Sequence, residues 1–156
     1  MSKSLKRVET ALASAGLATD IREMQASTRT AADAAAAVGC GVDQIVKSII
    51  FRGEETGHVV LFLTAGGNRV DDAKASAVAG QPLGKADADL IRAETGFAIG
   101  GVSPIGHLTP VTAYLDPRVL DFETVWAAAG TPRHVFAIKP DDLLRLTGAK
   151  VAEFVG

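Results

Sequence analysis

Residues 45–64, IVKSIIFRGEETGHVVLFLT, decide how this chain folds. Ile45 to Arg52 and His58 to Thr64 are short runs of β-branched and apolar residues, and the polar GEETG between them supplies a connection, so the pair predicts two antiparallel strands of a hairpin. Along the first strand side chains alternate faces, which puts Ile45, Lys47, Ile49 and Phe51 on one side. Lys47 is the charged member of that otherwise apolar row. Two explanations stay open at this level: a stem lying on apolar surface with its ammonium in water, or a cation held for chemistry.

Upstream, Leu5, Val8, Leu12 and Ala15 recur at helical spacing before Gly16, predicting an opening amphipathic helix, and a short strand is expected around Ile21. Thr30, with Asp33 three residues on, is expected to cap an alanine-rich helix that closes at Gly39 rather than to serve as a catalytic hydroxyl. Downstream the pattern predicts a helix near Asp71 to Val78, an extended QPLG at 81–84, and a helix from Asp87 to Thr95 ended by Gly96. A strand at Val111 to Leu115, a helix near Phe122 to Ala129 and a strand at His134 to Ile138 follow. The chain then closes with a helix from Pro140 to Thr147 and a last strand near Val151. Hairpin neighbours coexist with helical crossovers, so the expected class is α+β: one domain over residues 1–156, with a mixed, partly antiparallel, barrel-like sheet surrounded by helices.

Composition narrows the function. A chain of 156 residues is long enough to bury roughly two-thirds of its unfolded surface. A single cysteine, Cys40, leaves no intrachain disulfide and no cysteine cluster for a metal, which points to a reducing compartment. The N-terminal MSKSLKRVETALASAG interleaves charges with apolar residues, unlike a secretory leader, and no run approaches the roughly 20 apolar residues of a membrane span. A soluble, cytoplasmic protein without a membrane partner is expected. The formal net charge of −2 argues against a protein that coats long duplexes, DNA included, but leaves room for contact with the end of one RNA strand. Basic residues fall in two small groups, Lys3, Lys6 and Arg7, and Arg133, His134 and Lys139.

The segment GFAIGGVSPIGHLTP at 96–110 is punctuated by glycine and proline and predicts a specially shaped loop. Within it Gly100 and Pro104 form a G-x-x-x-P spacing, which is either a structural turn or a backbone brought close to a ligand. Ser103 lacks the second glycine of a nucleophile elbow, and Cys40 has no neighbouring histidine, so neither is read as a covalent catalyst. His58, His107 and His134 are widely separated and show no metal-ligand spacing, and no phosphate-binding glycine fingerprint is present. No metal or cofactor is expected.

Taken together, Lys47 in DQIVKSIIF, the loop GFAIGGVSPIGH and the later GTPRHVFAI resemble the YbaK family, which is related to the editing insertion of bacterial prolyl-tRNA synthetases. The resemblance covers nearly the whole chain. It implies an aminoacyl-tRNA deacylase whose partner is a mischarged tRNA presented by its 3′ aminoacyl end, often tRNA for proline carrying a small amino acid. Because the synthetase modules are absent from this sequence, the likeness is to the free-standing, trans-acting kind, for which a synthetase is a further candidate partner.

Carried over by the same resemblance, the family lysine falls on Lys47 and the family loop motif on Gly100 and Pro104, with Gly101 and Ser103 between them shaping the pocket. His134 resembles a histidine that lines the amino-acid pocket of synthetase editing insertions. Met24 and Ala128 stand where some cysteine-editing relatives carry polar side chains, which bears on the aminoacyl group that fits. The competing expectation is a binding module that senses an amino acid or the tRNA 3′ end without hydrolysis.

Overall fold

The computed structural model describes residues 2–18, 20–25 and 30–156. The hairpin forms as expected: β2 (Ile45–Gly53) runs antiparallel to β3 (Val59–Ala65), with Lys47 opposite Thr64 and Ile49 opposite Phe62. His58 falls just outside its predicted strand, its ring against Glu94. β3 is buried along its whole length because it has a strand on either side and helices above and below.

The other elements are α1 (Lys3–Ser14), β1 (Ile21–Glu23), α2 (Ala31–Val38), α3 (Asp72–Ala79), β4 (Leu83–Lys85), α4 (Ala88–Thr95), β5 (Thr112–Leu115), β6 (Val125–Ala128), β7 (His134–Ile138), α5 (Pro140–Thr147) and β8 (Lys150–Val151). Strand order is β1-β7-β6-β2-β3-β5-β8, with β4 added to β2 on the β6 side. Parallel pairs (β2 with β6, β3 with β5, β5 with β8) occur beside antiparallel ones, giving the mixed sheet of an α+β fold. Hydrogen bonding does not join β1 to β8, so the sheet is open along that line among the described residues. No helix of the described residues is long and apolar enough to cross a membrane.

One expected element is corrected. Residues 122–129 are not a helix; β6 occupies 125–128, after a short 3-10 turn at Pro117–Asp121. FETVWAAA holds three alanines that favour a helix, but Val125 and Trp126 are suited to a strand, and β7 pairs with all of 125–128 while β2 pairs with Trp126 and Ala127 from the other side. Tertiary pairing overrides the local preference. Thr30 caps α2 as expected, its Oγ1 accepting the Asp33 N–H at 3.1 Å.

The sheet separates two packing environments. On the inner face α1, α4 and α5 contribute Leu5, Val8, Ile91 and Leu143 to a core with Val46, Leu61, Leu63 and Phe136. On the outer face there are two smaller patches instead of one. In the first, Ala34 and Ala35 of α2 cover Ile45, Trp126 and Val135, joined by Met24. In the second, Ala75 of α3 and Phe154 cover Val60 and Phe62. Lys47, on the same face as Ile45 and Ile49, lies between the patches.

Candidate active site

At Lys47 the sheet is notched. One edge of β2 pairs with β3 throughout, whereas the other pairs with β6 only at Ile45 and Val46 and with β4 only from Phe51 to Gly53. Between Lys47 and Ile50 this second edge has no ladder partner among the described residues. Backbone groups there are left for something other than a strand. Continuing the parallel register one step beyond Val46 and Ala127 sets Ala128 beside Lys47 on the outer face.

The segment following β3 fixes the lysine head. Lys47 Nζ donates to the Asn68 carbonyl at 2.5 Å. Asn68 is itself tethered, its Nδ2 donating to Asp116 Oδ2 at 2.8 Å; the same oxygen accepts the Ala65 N–H at 3.1 Å, and Oδ1 accepts the Arg118 N–H at 3.0 Å. Asp116 is 2% exposed. A second tether runs through Asp43, which accepts the Gly67 N–H at 2.8 Å and Arg118 Nε at 3.0 Å. Arg118 and the Gly67 N–H hold the Asp43 carboxyl below the usual carboxylate range. Burial pushes the Lys47 ammonium below an ordinary lysine, Arg69 pushes the same way, and Asp43 and Asp116 partly oppose them.

Asp116 is thus the hub that holds the turn over Lys47. Asp116→Ala should lower stability by about 2 kcal/mol or more in urea melts, because buried donors left unpaired cost about 1–3 kcal/mol each. A change below about 0.5 kcal/mol would mean that water replaces the carboxylate and that the tether carries little.

The glycine loop approaches from another side. Gly100 has φ +93°, and a Cβ on Gly101 would lie 2.8 Å from Thr131 Cα, so the loop rests directly on the turn that follows β6. Ile99, at its crest, is 61% exposed. Ser103 is fully buried; its Oγ accepts the Ile105 N–H at 3.3 Å and its carbonyl meets His107 Nε2 at 2.7 Å. That serine shapes the loop from within, and its hydroxyl faces no open cleft. Pro104 is buried beside it.

The remaining expected residues divide between the two faces. Met24 is buried in the outer patch beside Ile45 and Trp126, its N–H bonded to Arg133 O at 2.6 Å. His134 projects to the inner face, since Val135 and Ala137 pack outward while Phe136 and Ile138 pack inward. It lines a groove with Leu5, Glu9, Ile21 and Glu23. Its Nδ1 is 2.6 Å from Thr131 Oγ1 and its Nε2 is 3.4 Å from Glu23. His134 and Lys47 therefore do not meet side chain to side chain; β6 and the turn at Thr131 connect them. No side-chain hydrogen bond joins Lys47 to the glycine loop among the described residues.

Cys40 is half-buried, its Sγ donating to Gly41 O at 3.4 Å, and burial pushes the thiol up, away from the reactive thiolate. Among the described residues no three His, Cys, Asp or Glu side chains converge as a metal site would need. Sequence reading missed Asp116 and Asn68. Asp116 precedes Pro117 and reads as an ordinary turn residue, which it also is, since it caps the 3-10 turn.

Residues 25–146 match the family model of the aminoacyl-tRNA editing domain. The YwhH protein of Bacillus subtilis (strain 168) is 31% identical over 148 residues, covering 95% of this chain and 94% of that protein. The Enterococcus faecalis (strain ATCC 700802 / V583) protein called "Putative Cys-tRNA(Pro)/Cys-tRNA(Cys) deacylase EbsC" is 28% identical over 126 residues, covering 80% of this chain and 76% of its own. A crystal structure described as "a putative trans-editing enzyme for prolyl tRNA synthetase" superposes with a TM-score of 0.92 at 50% identity, over 100% of this chain and 99% of the other.

Proposed function

The chain belongs to the aminoacyl-tRNA editing domain family, and we propose that it is a trans-acting deacylase that hydrolyses the ester joining a wrong amino acid to the 3′ end of tRNA. The observation that carries this reading is the position of Lys47, a tethered ammonium on the sheet's outer face where one edge of β2 has no strand partner among the described residues. In this reading the aminoacyl end enters the notch. Water adds to the ester carbonyl carbon, the tetrahedral oxyanion forms, and its collapse breaks the bond to the ribose oxygen, which takes a proton and leaves as the free tRNA end. The ammonium stabilises negative charge on the oxyanion or the terminal phosphate, where a fixed cation is worth most. Arg69, whose charge already disfavours the Lys47 cation, is a second positive group for the same anion.

An aminoacyl ester is already activated, so positioning and electrostatics are sufficient in kind. Both nitrogens of His134 face partners, Thr131 and Glu23, which suits a residue that braces the turn under Gly101 better than a free base. The terminal ribose hydroxyl of the tRNA is the group we assign to guide the water. Ala128 falls beside Lys47 by register, and Met24 and Trp126 belong to the apolar outer patch that includes Ile45, which favours a small uncharged amino acid over a polar one.

The test is a panel of mischarged tRNAs, beginning with tRNA for proline carrying alanine or cysteine. The expected result is rapid loss of one or a few small aminoacyl groups and no loss of the correctly matched one. Tight binding of the tRNA end without turnover of any ester would instead make the protein a sensor. Cys40→Ala should keep deacylation within about one order of magnitude, since the thiol lacks the marks of a nucleophile; a trapped acyl-cysteine would overturn the direct attack of water.

A further inference from the structure

Lys3, Lys6, Arg7 and Thr10 stand at i, i+3, i+4 and i+7 of α1 and therefore share one helix face. With Gly106 and His107 from the end of the glycine loop, this face lines a groove of about 420 Å³. Among the described residues no carboxylate lines it. The one acidic residue of α1, Glu9, points into a different groove, with Glu23 and His134. Lys3 and Lys6 are exposed and enter no ion pair among the described residues, so two free cations stand on a protein whose net charge is −2.

Arg7 couples this face to the glycine loop. Its Nη2 donates to Gly96 O at 2.6 Å, its Nε donates to Gly106 O at 3.3 Å, and its guanidinium lies 4.7 Å from the centre of the Phe97 ring. One arginine thus clasps both ends of the loop that carries Gly100 to Pro104. The first turn of α1 also touches the turn under that loop, because a Cβ on Gly130 would lie 2.7 Å from Ser4 O, and Gly101 packs on neighbouring Thr131.

We propose that the Lys3–Lys6 face of α1 is the docking surface for the sugar-phosphate backbone of the tRNA acceptor stem, with the single-stranded 3′ end passing from this inner-face helix around the glycine loop to Lys47 on the outer face. The proposal rests on the reading of the chain as an enzyme acting on tRNA. Charge supports this occupant: an A-form stem offers closely spaced phosphates, and lysines read them as point charges without sequence preference. The apolar floor of the groove, formed by Ala11 and the lysine stems, lets the ammonium groups reach outward.

The experiment compares wild type with Lys3→Glu/Lys6→Glu and with a charge-matched control, Lys139→Glu/Lys150→Glu, at the N-cap of α5 and the start of β8. Acidic residues in the first turns of α1 favour the helix dipole, so the first variant should fold. Binding of uncharged tRNA is measured against salt, beside deacylation of full mischarged tRNA and of the same amino acid on a CCA trinucleotide that lacks the stem. For Lys3→Glu/Lys6→Glu, binding of tRNA should weaken roughly tenfold near 0.1 M salt and the log–log salt slope should become shallower by about 2. Hydrolysis of the trinucleotide should be unchanged, and the control should behave as wild type. Equal tRNA binding by wild type and the α1 variant, or a parallel loss on the trinucleotide, overturns the docking surface while leaving the deacylase reading intact. Wild type that binds tRNA through α1 but hydrolyses neither ester keeps the surface and overturns the deacylase reading.

Discussion

Lys47→Ala should fold normally and lose deacylation of the true substrate by about 100- to 1,000-fold, the usual effect of removing one preorganised electrostatic stabiliser. Folding should survive because the side chain lies between the two outer patches, not inside either, and its one hydrogen bond among the described residues goes to the carbonyl of half-buried Asn68, which water can serve. A loss of about 1 kcal/mol is the expected scale for such a bond. Lys47→Arg keeps the charge but moves it outward on a longer fork, so it should recover part of the rate. Near wild-type turnover by Lys47→Ala would remove the lysine from the mechanism.

The pH profile gives an independent reading of the same residue. Burial and Arg69 lower the pKa of Lys47 in the folded protein, so activity should decline on the alkaline side at a lower pH than an ordinary lysine would dictate, once spontaneous ester hydrolysis is subtracted. Between that lowered value and the ordinary 10.5, the unfolded chain holds the proton that the folded chain has lost. More protons bound in the unfolded state means that this group's contribution to stability rises with pH across the window. A rate that falls while thermal stability does not would assign the alkaline limb to the ammonium itself.

Much of this was legible in the sequence, for reasons that are local. The β2–β3 hairpin announces itself by residue type and a polar connection, Thr30 by its capping position, and the ends of α2 and α4 by Gly39 and Gly96. Lys47 stood out because alternation makes one lysine in an apolar row conspicuous. What escaped reading depends on partners distant in sequence. β6 is a strand because β2 and β7 flank it, some eighty residues upstream in one case and ten downstream in the other. The notch beside Lys47 exists because β6 and β4 each cover only one end of β2, and no window of sequence reports where a neighbour stops. Asp116 meets Asn68 and Ala65 across separations of 48 and 51 residues, so these two hydrogen bonds leave no local trace, and only its cap to the Arg118 N–H reads as an ordinary turn. The face on which His134 projects is likewise set by the register of β7 with β1 and β6.

Adjacent glycines in the loop should respond to alanine for different reasons, and the difference tests how the loop is seated. Gly100 has φ +93°, where an L-residue is strained, yet the nearest atom to an added Cβ is Pro132 Cγ at 4.0 Å. Gly100→Ala should therefore cost about 1–2 kcal/mol of conformational strain, with room for the methyl group. Gly101 has no positive φ, but an added Cβ would lie 2.8, 2.9 and 3.0 Å from Thr131 Cα, C and N. Backbone cannot rotate away as a side chain can, so either the loop lifts or the turn after β6 moves. That turn carries Thr131, whose hydroxyl meets His134, and it continues the strand that flanks the notch. A displacement on the order of 1 Å is enough to cost about 100-fold in rate when it misplaces a reacting group. Gly101→Ala should thus reduce single-turnover deacylation by about two orders of magnitude, and more than Gly100→Ala does, while thermal unfolding shows both variants folded. Full activity in Gly101→Ala, or losses in both variants that only track the fraction of folded protein, would make the contact with Thr131 a structural turn and exclude the loop from the site.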